Sequence, residues 1–261
     1  MSVDPWGDDP ATTAFTSRAS DVADIAAIQE FIDEGMVASI LGVVKSGKEA
    51  TVYRCQGTRA VGGLVAAKVY HESAHRGFNR AGDYEQGRWV GSRTMRAAIA
   101  AKKDLGRQFQ LGLWVEHEFE TLSNLGYAGA DVPEVFACTE RAILMEFIGD
   151  DQGAAPLLQH APIRADEAGG LFGRLLWNIE LWLRNDVVHG DLSPFNILYR
   201  RGRLVVIDFP QAVDPRSNPS ARRLLDRDVH NVAAFFARHG VNSDARTITH
   251  RLWESYRRGW R

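Results

Sequence analysis

Cysteine is scarce in this 261-residue chain: Cys55 and Cys138 lie far apart and in no CxxC spacing. That excludes a disulfide framework or a cysteine-rich zinc site and predicts free thiols in a reducing, cytoplasmic compartment. An excess of either charge is missing too. Lys and Arg number 31 against 33 Asp and Glu, a formal net charge of -2, which argues against a chain basic throughout that would coat nucleic acid. No apolar run reaches the roughly 18 residues of a membrane span, and the opening MSVDPWGDDP has neither a basic nor an apolar leader region, so neither secretion nor a membrane partner is expected. Internal repeats and low-complexity segments are absent as well. What the chain does have is 45% hydrophobic residues, enough to build a core in one or two domains.

Residues 1–20 mix Asp, Pro, Thr and Ser without periodicity and predict a disordered tail. From Asp21, an expected N-cap, Val22, Ile25, Ile28 and Ile32 recur at helical spacing until Gly35. Two β segments follow over residues 43–55 and 63–70, joined through QGTRAVGG like a hairpin. Residues 71–110 are basic, with Arg76, Arg80, Arg88, Arg93, Arg96, Lys102, Lys103 and Arg107 against Glu72, Asp83, Glu85 and Asp104. A helix is expected over 113–125 with Gly126 ending it, strands over 132–138 and 142–147, a strongly apolar helix over 171–184, a strand-loop-strand unit, and helix again from Ser220. A β-rich first half with one main helix, then a mostly helical second half, predicts an α+β molecule of two lobes, 21–148 and 149–261, with a cleft between them.

ILGVVKSGKEAT (40–51) fits GxxxxGK from Gly42 to Lys48, but Glu49 stands where a Walker loop needs the hydroxyl of Ser or Thr. EATVYRC, with its β-branched and aromatic content, then predicts a strand where that loop needs a helix. A strand-turn-strand can still lay backbone amides over phosphates, with Ser46, Gly47 and Lys48 at its tip and Gly42 ending the entry to a strand. On this stretch alone an ordinary hairpin turn with a solvated Lys is the better reading.

Downstream residues decide between these readings. VAAKV (65–69) puts Lys68 near the end of a β segment, in the manner of the strand Lys that pairs phosphates and a helix carboxylate. Its candidate partner in VEHEFETL is Glu118, with Glu116 and Glu120 as rivals on other helix faces. HGDLSPFN (189–196) has the HxDxxxxN spacing of a phosphotransfer loop, in which Asp191 orients or deprotonates an incoming hydroxyl and Asn196 offers an amide oxygen to Mg²⁺. LVVIDFPQ (204–211) then ends an apolar strand in Asp208, a second hard ligand suited to Mg²⁺ or Mn²⁺. Each piece has a bland structural reading, but together and in this order they are specific.

With these residues in view the chain resembles the RIO family of atypical serine/threonine protein kinases. The likeness rests on SGKEATVY (46–53), AAKVY (66–70), VEHEFETL (115–122), LMEFIG (144–149), HGDLSPFNIL (189–198), IDFPQAV (207–213) and RDVHNVAAFF (227–236). It implies a compact two-lobed kinase fold that binds ATP and Mg²⁺. It further implies that Ser46 and Lys48 touch the phosphates, Lys68 pairs with Glu118, Glu146 and Ile148 present hinge backbone groups to adenine, Asp191 is the catalytic Asp, and Asn196 and Asp208 hold metal. By the same likeness the basic stretch is the family's flexible loop, with Ser92 and Thr94 as candidate acceptors of autophosphorylation and RNA or a ribosomal particle as its partner.

The pattern departs from the family in places. Lys45-Ser46 replaces a Ser-Thr pair, Pro194 replaces a frequent Glu, and IDFPQ is the wording of the winged-helix branch although a single helix precedes the sheet. A compact, prokaryotic form is therefore expected. HGDLSPFN also looks like the loop of aminoglycoside and choline phosphotransferases, so a small-molecule kinase is one alternative. Another is an ATP-dependent switch with slow hydrolysis through an aspartyl-phosphate on Asp208. Trp177, Trp182, Trp253 and Trp260 are expected to pack between helices.

Overall fold

The computed structural model describes residues 19–71 and 103–259. Helix α1 (Ala19–Asp33) leads into strands β1 (Val37–Ser46), β2 (Ala50–Gly57) and β3 (Leu64–Tyr70). After helix α2 (Lys103–Tyr127) come β4 (Val135–Cys138) and β5 (Ala142–Glu146), completing an antiparallel five-stranded sheet of order β1-β2-β3-β5-β4.

Period-two alternation decides what each face of this sheet meets. Val65, Ala67 and Val69 of β3 pack with Tyr53 and Cys55 of β2 beneath Ala27, Ile28 and Phe31 of α1. Ala66 and Tyr70, on the other face, pack with Leu111 and Val115 of α2. Lys68 lies in phase with Ala66 and Tyr70 and so points to the α2 side, where the cleft is.

Helix α1 differs from its sequence pattern. It begins at Ala19, so Asp21 lies inside it and is not its N-cap. Val22 and Ile25 are 60% and 37% exposed, whereas Ile28 is buried as expected, in a stripe with Asp24, Ala27 and Phe31. Asp24 belongs to that stripe because the Tyr53 hydroxyl donates to its Oδ2 at 3.0 Å. A buried polar group satisfied in this way avoids the desolvation penalty that pattern reading assigns to it. Gly35, with φ 72°, ends the helix: its N–H donates to Ile32 O and that of Met36 to Phe31 O, both at 2.9 Å.

The structure differs from four further expectations. The hairpin is a three-strand meander, and Gly42 sits within β1 at a register irregularity, with φ 154°. The loop expected over the basic residues 71–110 does not reach residue 110, because α2 already runs from Lys103 and continues through Gly126 to Tyr127; Leu111, Val115, Glu118, Leu122 and Leu125 form one buried stripe, and that packing outweighs the modest helix cost of glycine. The tail up to residue 18, the basic residues 72–102 with Ser92 and Thr94, and Trp260 lie outside the described residues.

The second half begins with the short ribbon β6 (Gly149–Asp150) and β7 (Gly153–Ala154), then α3 (Ala165–Arg184). Hairpin β8 (Ile197–Arg200) and β9 (Arg203–Val206) is followed by α4 (Ala221–Ala237) and α5 (Ala245–Arg257). Their shared core includes Leu171, Phe172, Trp182, Phe209, Val229 and Phe236, and full burial of such a side chain contributes about 1.5–3 kcal/mol. Trp177 is not core: it is 42% exposed, with the Arg174 guanidinium stacked 3.9 Å from its ring centroid. Among the described residues no helix is long and apolar enough to cross a membrane.

Candidate active site

A cavity of about 440 Å³ opens between the sheet and the helical part. Its apolar walls come from Val44, Val52, Ala66 and Met145 on the sheet side and from Leu198 and Ile207 opposite, while Lys48, Glu49, Lys68, Glu118, Asn196 and Asp208 line its polar end.

Lys68 is the hub of that end. Its Nζ donates to both Glu118 oxygens, at 2.8 and 3.0 Å, and to Asp208 Oδ1 at 2.7 Å. Of the three rival carboxylates, Glu116 and Glu120 are exposed and Glu118 is fully buried. Glu118 Oε1 also accepts the Phe209 N–H at 3.0 Å, which ties α2 to the chain just past Asp208. Burial works to discharge the Lys68 ammonium, but the two carboxylates overcome it and hold its pKa above the ordinary value. Burial, reinforced by Asp208, pushes the Glu118 carboxyl up against the pull of Lys68. For Asp208 burial also pushes upward, but Lys68, with His189 and Lys45 behind it, wins and holds the carboxyl below its usual range.

Asp208 adopts φ 72°, a left-handed conformation that costs a non-glycine residue roughly 1–2 kcal/mol. Its neighbour Phe209 makes the turn tenable: the ring is fully buried, 4.4 Å from His189 and edge-on to Trp182 at 5.5 Å between centroids. His189 is buried as well, and its Nε2 lies 3.3 Å from the Ile207 carbonyl. Since a carbonyl only accepts, Nε2 carries the proton, leaving Nδ1 to accept the Asp191 N–H at 3.3 Å. Burial lowers the pKa of this imidazole to about 4, so the ring stays neutral and shapes the loop.

Residues 189–196 are pinned from below by Asp228, whose two oxygens accept the amides of Gly190 at 2.8 Å and Leu192 at 3.0 Å. Burial raises its pKa to about 7 despite those amides. RDVHN gives Asp228 no recognisable role in the sequence. The available signal was an acid among Leu224, Leu225, Val229 and Val232, on the buried stripe of α4. Asp191 is exposed, with an Arg227 nitrogen 3.8 Å from its Oδ1. Asn196 Nδ2 donates to the Asp191 carbonyl at 2.8 Å, which commits the amide nitrogen to the loop and leaves Oδ1 as the acceptor.

On the sheet side Gly47, Lys48 and Glu49 line the cavity and Ser46 does not; the Ser46 hydroxyl lies 3.2 Å from Thr51 Oγ1. Burial, with Asp208 adding, lifts the Glu49 carboxyl to about 6. Glu146 and Ile148 lie at the apolar end. The Glu146 N–H is taken by Glu134 O at 2.7 Å, and the Ile148 carbonyl accepts from Ala155 N at 2.8 Å.

An antiparallel five-stranded sheet set over a mostly helical part, with a Lys–Glu pair and a polar loop meeting in the cleft, defines a protein-kinase-like α+β fold. The RIO domain model matches residues 51–248, and the chain belongs to that family. It is 31% identical over 232 residues to the RIO-type serine/threonine-protein kinase Rio1 of Haloferax volcanii, covering 87% of this chain and 73% of that protein. To the serine/threonine-protein kinase RIO1 of Chaetomium thermophilum it is 31% identical, covering 87% of this chain and 45% of the relative. The human serine/threonine-protein kinase RIO1 is 30% identical, with 86% and 40% covered. The chain thus spans less than half of the two eukaryotic relatives. Among solved structures, the Rio2 kinase of Chaetomium thermophilum in an ADP/Mg²⁺-phosphoaspartate complex has the same fold, with a TM-score of 0.63 at 22% identity, covering 87% of this chain and 65% of that one.

Proposed function

We propose that this chain is an ATP- and Mg²⁺-dependent serine/threonine protein kinase of the RIO type, acting in the cytoplasm on a protein hydroxyl. The observation that carries the reading is Lys68 held between Glu118 and Asp208 at the polar end of a cleft. Adenine fits the apolar end, addressed by the Glu146 carbonyl and the Ile148 amide, the groups on those residues not engaged by the bonds given above. Gly47 and Lys48 lie over the phosphates, with Ser46 behind them. Lys68 then exchanges Asp208 for phosphate oxygens while Glu118 keeps it in place.

Among the described residues no three His, Cys, Asp or Glu side chains cluster to hold a metal by themselves. The Asp208 carboxylate, held charged, and Asn196 Oδ1 make a two-oxygen set, which suits an ion that takes its other ligands from phosphates and water. Mg²⁺ bound there supplies positive charge to the phosphate oxygens during transfer. Asp191 orients the acceptor hydroxyl and takes its proton as the oxygen bonds to the γ-phosphorus and the bond to ADP breaks. Autophosphorylation or slow ATP hydrolysis is another fate of the same phosphoryl group. The small-molecule alternative is not favoured, since the relatives named above are protein kinases. Docking of RNA or a ribosomal particle is proposed for the basic residues 71–110.

The test is phosphoryl transfer from γ-labelled ATP, to the chain itself and to proteins of a lysate, by wild type and Asp208→Ala. A loss of at least about 10²-fold is expected. Turnover at the wild-type rate in the variant would remove Asp208 from the chemistry.

A further inference from the structure

The turn between β1 and β2 contains a glycine and is exposed through residue 48, so its shape has to be held by bonds. Within the turn, Gly47 N–H donates to the Ala50 carbonyl at 2.9 Å. Further tethers come from one residue at the end of β3. The His71 N–H donates to the Glu49 carbonyl at 2.8 Å. His71 Nδ1 lies 3.4 Å from the Lys48 carbonyl, and Nε2 lies 2.8 Å from Thr51 Oγ1, which is itself 3.2 Å from Ser46 Oγ. A carbonyl only accepts, so Nδ1 carries the proton. In the neutral ring Nε2 therefore accepts from the Thr51 hydroxyl, and Thr51 in turn accepts from Ser46. Asp24 of α1 stands behind the ring, with its Oδ2 3.9 Å from Nε2.

We infer that His71 is a positioning residue for nucleotide: through Lys48, Glu49, Thr51 and Ser46 it holds the turn in the shape that receives the phosphates of ATP. The inference rests on reading this turn as the phosphate loop. A glycine turn left to itself loses conformational entropy when the nucleotide binds, and one held in advance has already lost it. The phosphates held by the turn are bound in ground state and transition state alike, so losing the tether raises KM and leaves kcat nearly unchanged.

The experiment measures kcat and KM for ATP, and Kd for a fluorescent N-methylanthraniloyl-ATP, on the full chain and its variants. For His71→Ala a rise in KM and Kd of about five- to tenfold is expected, with kcat within about twofold, the scale of one or two neutral hydrogen bonds. His71→Asn places an amide N–H where Nδ1–H stood and recovers part of the loss. Thr51→Val gives a smaller rise of about threefold, and the double variant is no worse than His71→Ala because both act through one relay. Unchanged KM and Kd in His71→Ala, or a fall in kcat alone, overturns the inference. If His71→Ala fails to fold, Thr51→Val decides, since an unchanged Kd there overturns it equally. Lys68→Ala, measured alongside, separates the two readings. If it leaves Kd unchanged, the cleft is not the nucleotide site and both fall; if it weakens binding while the His71 and Thr51 variants do not, only the role of His71 falls.

Discussion

Residues 189–196, on the helical side of the cleft, are anchored by groups almost wholly out of water, whereas of the groups that tether residues 46–51, on the sheet side, Thr51 is buried but Ser46 and His71 still meet it. Asp228 and His189 are 2% and 1% exposed, while Ser46, Gly47 and Lys48 are exposed and His71 is half-buried. Releasing the first loop strands a buried carboxylate and two amides, a cost of about 1–3 kcal/mol for each group. Releasing the second leaves only the Thr51 hydroxyl buried and returns Ser46, Lys48 and His71 to solvent, which costs less. On the proposed function, the helical side is thus the more firmly held template for acid, amide and acceptor, and the sheet side the more readily adjusted cover. Lys68 joins them, since it belongs to β3 and bonds both Glu118 and Asp208.

The strongest way to break this arrangement is to remove the joint. Lys68→Ala leaves Glu118 buried without its cation and is expected to cost roughly 3–5 kcal/mol of stability, read from urea denaturation. Adding Glu118→Gln to that variant should restore most of the stability and none of the phosphoryl transfer. An unchanged urea midpoint in Lys68→Ala would mean that the ion pair does not hold the two sides together.

A sharper probe acts on the fixed side alone. Folded Asp228 titrates near pH 7 against about 3.9 when unfolded. Between those values the folded chain keeps a proton that the unfolded chain has shed, so the contribution of Asp228 to stability is full below about pH 4 and is lost as pH rises through 7. His189 acts oppositely: folded near 4 and about 6.5 unfolded, its contribution is full above 6.5 and is lost as pH falls through 4. Each slope is at most about 1.4 kcal/mol per pH unit, and the two oppose each other over the shared window. Asp228→Asn should therefore expose the His189 slope, with stability rising from about pH 4 to 6.5 more steeply than in wild type. Parallel stability curves for the two proteins would show that Asp228 does not titrate in this range.

The smallest effect is expected at the apolar end. Glu146 is proposed to meet adenine through its backbone, and its side chain is exposed. Glu146→Ala should leave KM for ATP within about twofold of wild type, the range of a surface substitution. A tenfold rise would show that the side chain takes part.

Much of the candidate site is legible along the chain because its residues lie close together in sequence. HGDLSPFN places Asp191 and Asn196 on one loop, and Asp208 follows a short hairpin later, although the apolar strand stops at Val206 and does not end in Asp208 as its pattern suggested, because Asp208 turns left-handed. The side to which Lys68 points follows from period two, given that Val65, Ala67 and Val69 face the core under α1. The choice of Glu118 over Glu116 and Glu120 could not be made from spacing, because all three acids share one helix and only the packing of α2 decides which of them is buried. Asp228 and His71 were out of reach for another reason. Each holds a loop distant from it in sequence, and no local pattern records which backbone amides or carbonyls a side chain will meet. Of the apolar stripe expected on α1, Ile28 and Ile32 do meet the core, but Val22 and Ile25 do not, and Asp24 belongs inside only with Tyr53 above it.

The sequence by itself determined the fold class, the family and most polar residues of the cleft, though not that Ser46 and Asp191 stand outside its lining, since periodicity and motif spacing are properties of short stretches of chain. Tertiary structure decided the rest: which of three glutamates meets Lys68, that Asp208 takes a left-handed turn pinned by Phe209, that a buried Asp228 carries one loop, and that His71 tethers the other. Burial and hydrogen-bond geometry are set by the segments that pack together, and those segments meet only when the chain has folded.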